Sequence, residues 1–381
     1  MSEIELKLAL PPNELSKAQR VLSPGTARRG QAQRRLTSVY YDTPDLDLRR
    51  RNLTLRVRRE GQRYIQAVKA EDLTGTDLLR RGEWEDRIDG QQPEPAAPRS
   101  GPQLPSSLRF DQLRPIFSTV VERSLQTIEP TRDVKIEVAA DHGEIRANGG
   151  TELVSELELR EGNPAAIYDT ALKILECVPV RLETRSKSAR GYLLAEGGDA
   201  RPSARRLGKI ELDPKMSSEE ALRLIGRRCL ATLMANIPAA FADRPEGIHQ
   251  MRLAARRLRS MLSVMKKMLP RDQYEWASGE LRWLSDTAGA ARNWDVISER
   301  LVKPLVRSVR SDQVDLNALA ARVERERRAA YEQTKSELRS LRFTRAVIVL
   351  ARWFEAREWR NQPVGGNSAR LAASVKGIAS D

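Results

Sequence analysis

Residues 1–10 read MSEIELKLAL, a two-residue alternation whose reading decides how the first half of the chain folds. In a strand, Glu3, Glu5 and Lys7 share one face at steps of about 7 Å, and Ile4, Leu6 and Leu8 take the other. The ordinary reading of such a stretch is a half-buried strand with a solvated charged face. Two carboxylates on one strand also suit a hard divalent cation such as Mg2+ or Mn2+, which takes oxygen ligands and keeps waters that a phosphate can replace.

Working outward, the same pattern returns. Leu53, Leu55 and Val57 alternate with Thr54, Arg56 and Arg58, so guanidinium groups stand where the opening stretch carries carboxylates. Residues 63–70 form a further strand carrying Lys69, and residues 82–88 put Glu83, Glu85 and Arg87 on one face. Residues 116–128 contribute Arg123, and residues 134–139 contribute Lys135 and Glu137. Asp141-His142-Gly143 reads as a turn into another strand. Residues 153–160 repeat the opening motif, with Glu156 and Glu158 opposite Leu157 and Leu159, and the stretch 181–190 supplies Arg185, Lys187 and Arg190. About eight strands thus carry charges of both signs at alternate positions. An antiparallel sheet closed into a barrel with a charged lumen accounts for this, since cations lining it hold an anion and carboxylate pairs hold the bridging metal.

Composition agrees with an anionic partner. The 381 residues carry 66 Lys and Arg against 52 Asp and Glu, a net charge of +14. Cys177 and Cys229 have no metal-type spacing, so the expectation is a reducing, cytoplasmic setting with neither disulfides nor zinc. No apolar run approaches the roughly 20 residues that span a bilayer. There is no dinucleotide fingerprint, no P-loop and no HExxH motif.

The set Glu3-x-Glu5-x-Lys7, YYDTP at 40–44, LRVR at 55–58, Lys69, EWE at 83–85, ELE at 156–158 and Ser186-Lys187 resembles the CYTH superfamily, the triphosphate tunnel metalloenzymes, over residues 1–197. The resemblance implies an eight-stranded antiparallel β-barrel tunnel that binds a triphosphate with Mg2+ or Mn2+. On this sequence it implies Glu3, Glu5, Glu156 and Glu158 as metal ligands, with Asp141 or Glu137 as a further one. Arg56, Arg58, Lys69, Arg123, Arg185 and Lys187 would cradle phosphates, and Lys7, with Glu5 and Glu158, would stand at the scissile bond. Asp42 reads as a turn residue and Arg190 as structural. Inorganic triphosphate is the expected substrate, with thiamine triphosphate or ATP cyclisation as alternatives.

A stretch rich in Gly, Pro and charge at 198–216 reads as a linker, and residues 217–381 read as an all-α helical bundle. In the helix beginning near Gly247, His249, Arg252, Arg256 and Arg259 form a stripe about 80° wide, backed by Met251, Ala254, Leu258, Met261, Leu262, Met265 and Leu269. A solvated face is the plain alternative, yet clustered like charges repel unless an anion is near. This stripe, with Arg282, Gly289, Arg292 and Asp295 further on, resembles the CHAD domain, a module associated with polyphosphate. Two related halves are usual in that domain, and this chain is expected to hold the first. The resemblance implies polyphosphate contacts at His249, Arg252, Arg256, Arg259 and Arg292. A nonenzymatic polyphosphate-binding protein is the competing reading. Nucleic acid is not expected, because few aromatics adjoin the basic stripe, and no membrane partner is expected.

Overall fold

In a computed structural model of the chain, residues 2–22, 32–70, 80–95, 104, 108–131, 134–197, 202–308 and 316–360 are described. They divide into two compact units, 1–201 and 202–381.

The first unit is an antiparallel sheet of nine strands among the described residues. These are β1 (Ser2–Ala9), β2 (Ala32–Asp42), β3 (Leu53–Glu60), β4 (Arg63–Ala70), β5 (Arg80–Ile88), β6 (Arg114–Thr131), β7 (Val134–Ala147), β8 (Gly150–Arg160) and β9 (Arg181–Leu182). Their order is β5-β4-β3-β2-β6-β7-β8-β1-β9. β1 divides its pairing: Glu5–Ala9 faces β8, while Ser2, Glu3 and Ile4 face Gly82, Arg81 and Arg80 of β5. The expectation of eight strands in a closed barrel is therefore corrected in two respects. A ninth, two-residue strand joins β1, and three residue pairs make a partial seam rather than a full ladder.

The alternation in β1 has two enclosed faces. Leu6 and Leu8 are buried, as their outward position against Leu159 and Leu157 requires. Helices α1 (Leu15–Leu22) and α3 (Pro164–Cys177) pack on this side, and α3 buries Ile167, Ala171 and Ile174. Each such side chain withdrawn from water contributes about 1.5–3 kcal/mol. Glu5 and Lys7 on the inner face are only 7% and 8% exposed, which excludes a solvated surface. Buried charges require partners.

Two local readings are corrected. Asp141-His142-Gly143 is no turn: β7 runs unbroken through it. Gly143 is needed because a Cβ there would stand 2.1 Å from the Val120 carbonyl oxygen of β6. Residues 181–190 are not one strand either. After β9, Ser186 accepts a hydrogen bond from the Ala189 amide (3.0 Å) and caps helix α4 (Lys187–Ala195).

α4 packs against β6, β7 and β8. Tyr192 joins Tyr40, Phe117, Ile145 and Val154 in a buried cluster, with Tyr40 stacked on Phe117 (4.3 Å) and Phe117 edge-on to Tyr192 (5.1 Å). A Cβ on Gly191 would meet the Phe117 ring at 2.2 Å, so only glycine seats the helix this closely. Tyr192 Oη donates to Asp42 Oδ2 (2.9 Å). Asp42 also accepts from the amides of Thr43, Leu48 and Arg49, capping the short helix α2 (Asp47–Arg50).

The second unit is helical: α5 (Ser218–Ala235), α6 (Ile237–Phe241), α7 (Pro245–Met265), α8 (Arg271–Thr287), α9 (Gly289–Val296), a π-helical turn (Ile297–Val302), α10 (Lys303–Ser308), α11 (Leu316–Arg339) and α12 (Leu341–Ala356). A reciprocal capping box between Ser217 and Glu220 opens α5. All seven apolar residues expected at the back of this helix are buried, although Leu269 lies past the end of α7 at Met265. Within the expected linker, Arg205 exchanges backbone hydrogen bonds with the Asn236 side chain (2.9 and 2.8 Å). The Leu207 amide donates to Gln250 Oε1 (3.1 Å). No helix among the described residues is long and apolar enough to cross a membrane.

Candidate active site

Strand register explains which charged residues meet inside the first unit. Arg34 of β2, Arg123 of β6, Asp141 of β7 and Glu156 of β8 form one row across the sheet. Ala139, Glu158 and Lys7 form the next, and Glu137, Arg160 and Glu5 the one after. Ala139 is the small member that leaves room between charged rows.

Asp141, Glu156 and Glu158 are 0%, 1% and 1% exposed, and one carboxylate oxygen from each lies within 4.8 Å of the others. The Lys187 ammonium, at the first turn of α4, sits among them. Its Nζ lies 2.7 Å from Asp141 Oδ2 and 2.9 Å from Glu158 Oε1, and it also contacts Glu156. Three oxygen donors thus converge on one cation position, which is the donor chemistry Mg2+ and Mn2+ favour. Arg123 grips Asp141 with two hydrogen bonds (2.7 and 2.6 Å) and reaches Glu158 Oε2 at 2.7 Å. Lys7 Nζ stands 3.3 Å from Glu158 and 3.5 Å from Glu5.

The charges tune one another. Burial alone would raise the Glu158 carboxyl, but Arg123, Arg160, Lys7 and Lys69 hold it well below the usual carboxylate range. Asp141 is likewise held low against its burial, chiefly by Lys187 and Arg123. Burial draws the Lys187 ammonium down to about 7, with Lys7 and Arg123 adding to the fall and Asp141 opposing it.

Other expected residues lie differently. Arg56 and Arg58 both bind Glu85 (2.9 and 3.2 Å) at the more open β3–β5 side of the sheet. Lys69 faces Thr54 and Glu83 in the register. Arg185 pairs with Glu183 through Nε and Nη2 (3.2 and 3.1 Å) rather than joining the carboxylate cluster. The Glu3 and Glu83 side chains lie outside the described ones.

Two residues take a larger part than the sequence reading allowed. Arg190, read as structural, is 5% exposed. It binds Glu152 (2.8 Å), the Leu153 carbonyl (2.7 Å) and Glu156 (3.4 Å), tying α4 to the cluster. Arg160, unremarked in the sequence, contacts Glu158 and lies 3.5 Å from Glu5. Its signal was present, because ELELR continues the two-residue period from 156 through 158 to 160.

In the second unit, His249 and Arg252 are half-buried on α7 and Arg256 and Arg259 exposed, with Arg292 half-buried on α9. The Arg252 guanidinium lies 3.1 Å from where a Cβ on Gly289 would stand, so the glycine admits it to the start of α9. Among the described residues, none of these five side chains has a carboxylate partner. Asp295, by contrast, is buried and held by Arg327 (2.9 Å) and Tyr331 (2.9 Å).

The CYTH domain matches residues 1–192. The chain belongs to the CYTH family. A CHAD domain follows over residues 224–378. The inorganic triphosphatase of Haemophilus influenzae is 34% identical over 204 residues, covering 51% of this chain and 55% of that protein. The chain therefore spans about half the length of that relative. Among solved structures, the CHAD domain of Ricinus communis is 27% identical with a TM-score of 0.38, covering 47% of this chain and 56% of that one. An adenylyl cyclase candidate from Hippeastrum with a dominant triphosphatase activity is 19% identical, TM-score 0.37, over 50% and 95% of the two chains.

Proposed function

We propose that this chain hydrolyses inorganic triphosphate in the first unit, with one face of the second unit binding polyphosphate. The observation that carries the reading is the convergence of three buried carboxylates on one cation position, ringed by Lys7, Arg123, Lys187 and Arg190. Support also comes from the CYTH domain and from the 34% identity to an inorganic triphosphatase.

Asp141, Glu156 and Glu158 would hold Mg2+ or Mn2+, which supplies Lewis-acid polarisation of a bound phosphate oxygen. The remaining steps belong to the chain. Phosphoryl transfer to water demands positioning and charge neutralisation more than covalent catalysis. Arg123 and Lys187 would turn from carboxylate to phosphate oxygens. Arg56 and Arg58 would exchange Glu85 for the far end of the substrate, and Lys69 would add charge on the same side. Lys7, between Glu5 and Glu158, would contact the phosphoryl group that is transferred. The packed ring cluster around Tyr192 would keep water from the side of the site that it covers. In the second unit, His249, Arg252, Arg256, Arg259 and Arg292 would hold longer polyphosphate through charge alone.

The test measures phosphate release from inorganic triphosphate, ATP and thiamine triphosphate side by side, with Mg2+, Mn2+ or EDTA. Release from inorganic triphosphate that EDTA abolishes is the expected result. Absence of release from all three by folded protein would overturn the enzymatic reading and leave polyphosphate binding.

A further inference from the structure

Two cation positions in the tunnel are built differently. In the first, Asp141, Glu156 and Glu158 surround an ammonium that comes from another element, α4. In the second, between Glu5 and Glu158, both gaps are bridged by cations of the same two strands. Arg160 of β8 contacts Glu158 Oε2 and lies 3.5 Å from Glu5 Oε1. Lys7 of β1 lies 3.3 Å from Glu158 Oε1 and 3.5 Å from Glu5 Oε2. Every carboxylate oxygen of this pair therefore faces a resident cation.

The strand register places both cations at that gap. Arg160 is directly opposite Glu5, and Lys7 directly opposite Glu158, so each bridging cation starts from the backbone position paired with one of the carboxylates it bridges. Lys187 differs, because it reaches the triad from another element, the start of a helix. A dication entering the triad takes the place of the one ammonium that touches all three carboxylates. A dication entering the Glu5–Glu158 gap would have to displace a guanidinium and an ammonium together, and would then remain close to both.

We propose that Arg160, with Lys7, takes the place of a second metal ion, so that the tunnel holds one divalent cation. Arg160 is then a positioning residue, whose fork keeps Glu5 and Glu158 neutralised. Glu5 is thereby an anchor for two cations rather than a metal ligand. This inference rests on the metal reading of the triad given above.

The test counts tight Mn2+ sites on the full, EDTA-stripped chain by electron paramagnetic resonance of free Mn2+, with Mn2+ alone as the probe. Tunnel sites are those lost on Glu158→Gln. One is expected in the wild type and two in Arg160→Gln. Adding Glu5→Gln to Arg160→Gln should return the count to one. Arg160→Lys, which keeps the charge, should hold it at one and controls for misfolding. Two tunnel sites in the wild type, or one in Arg160→Gln, would overturn the proposal while leaving the metal reading intact. No Mn2+ lost on Glu158→Gln would overturn the metal reading, and this proposal with it.

Discussion

The two units treat positive charge in opposite ways. Inside the first, Lys7, Arg123, Arg160, Lys187 and Arg190 each contact a buried carboxylate. On the second, the five basic residues of α7 and α9 have none among the described residues. A compensated interior must exchange partners before it can bind an anion, and is tuned for one shape of ligand. An uncompensated surface needs no exchange, accepts any polyanion within reach, and answers strongly to salt.

The comparison breaks most visibly at Glu158, which meets four of those cations. Glu158→Gln should lower triphosphate turnover on the order of 10²- to 10³-fold. It should also leave buried cations uncompensated, at a cost of about 3–5 kcal/mol. For a unit of this size the thermal midpoint should drop by roughly ten degrees. Tripolyphosphate without metal should restore much of that loss by supplying the missing negative charge. A variant with an unchanged midpoint, or one that tripolyphosphate does not rescue, would mean the tunnel is not charge-compensated as described.

How much of this was legible follows from where the information lies. Glu5, Lys7, Glu156 and Glu158 were readable because a strand's two-residue period is local, and the family motifs sit on it. The α4 end was not. Residues 181–190 alternate like a strand, and only packing of Gly191 on Phe117 and the Ser186 cap make a helix of their second half. Asp141-His142-Gly143 carries an ordinary turn signature, overridden because Gly143 serves the close approach of β6. α3 does carry a local start signal, Asn163 followed by Pro164, with Asn163 accepting from the Ala165 amide. The α7 stripe was readable in full, since its helical period and its apolar back are both local.

The second unit should respond less, and to different variables. Arg252→Glu together with Arg256→Glu should weaken retention of long-chain polyphosphate at least about tenfold and lower the slope of log affinity against log salt by about two. Triphosphatase turnover should change less than about twofold, because neither residue lies in the unit that holds the carboxylate triad. Duplex DNA as competitor decides whether the face reads polyphosphate or any polyanion. An unaltered salt slope would sink the role given to this stripe.

The smallest effect concerns the two thiols, one in each unit. Cys177 is exposed at the end of α3, and Cys229 is buried in α5. Burial pushes the Cys229 thiol up to about 12, with Arg257 only partly opposing. Thiolate is the reactive form, so a thiol reagent at pH 8 should label one cysteine per native chain and two after denaturation. The sign of the linked stability follows from the same shift. Below the ordinary thiol range of about 8.5–9, both folded and unfolded states keep the proton, and the contribution of the buried thiol is whole. Between there and about 12 only the unfolded state releases it, so stability of the second unit should decline as pH rises through that window. Cys229→Ala should remove this alkaline slope, whereas Cys177→Ala should leave it in place. Equal labelling of both thiols in native protein would show that α5 opens readily. The uncompensated basic face would then rest on a frame looser than the tunnel, and its weaker partner selectivity would have a dynamic cause as well as an electrostatic one.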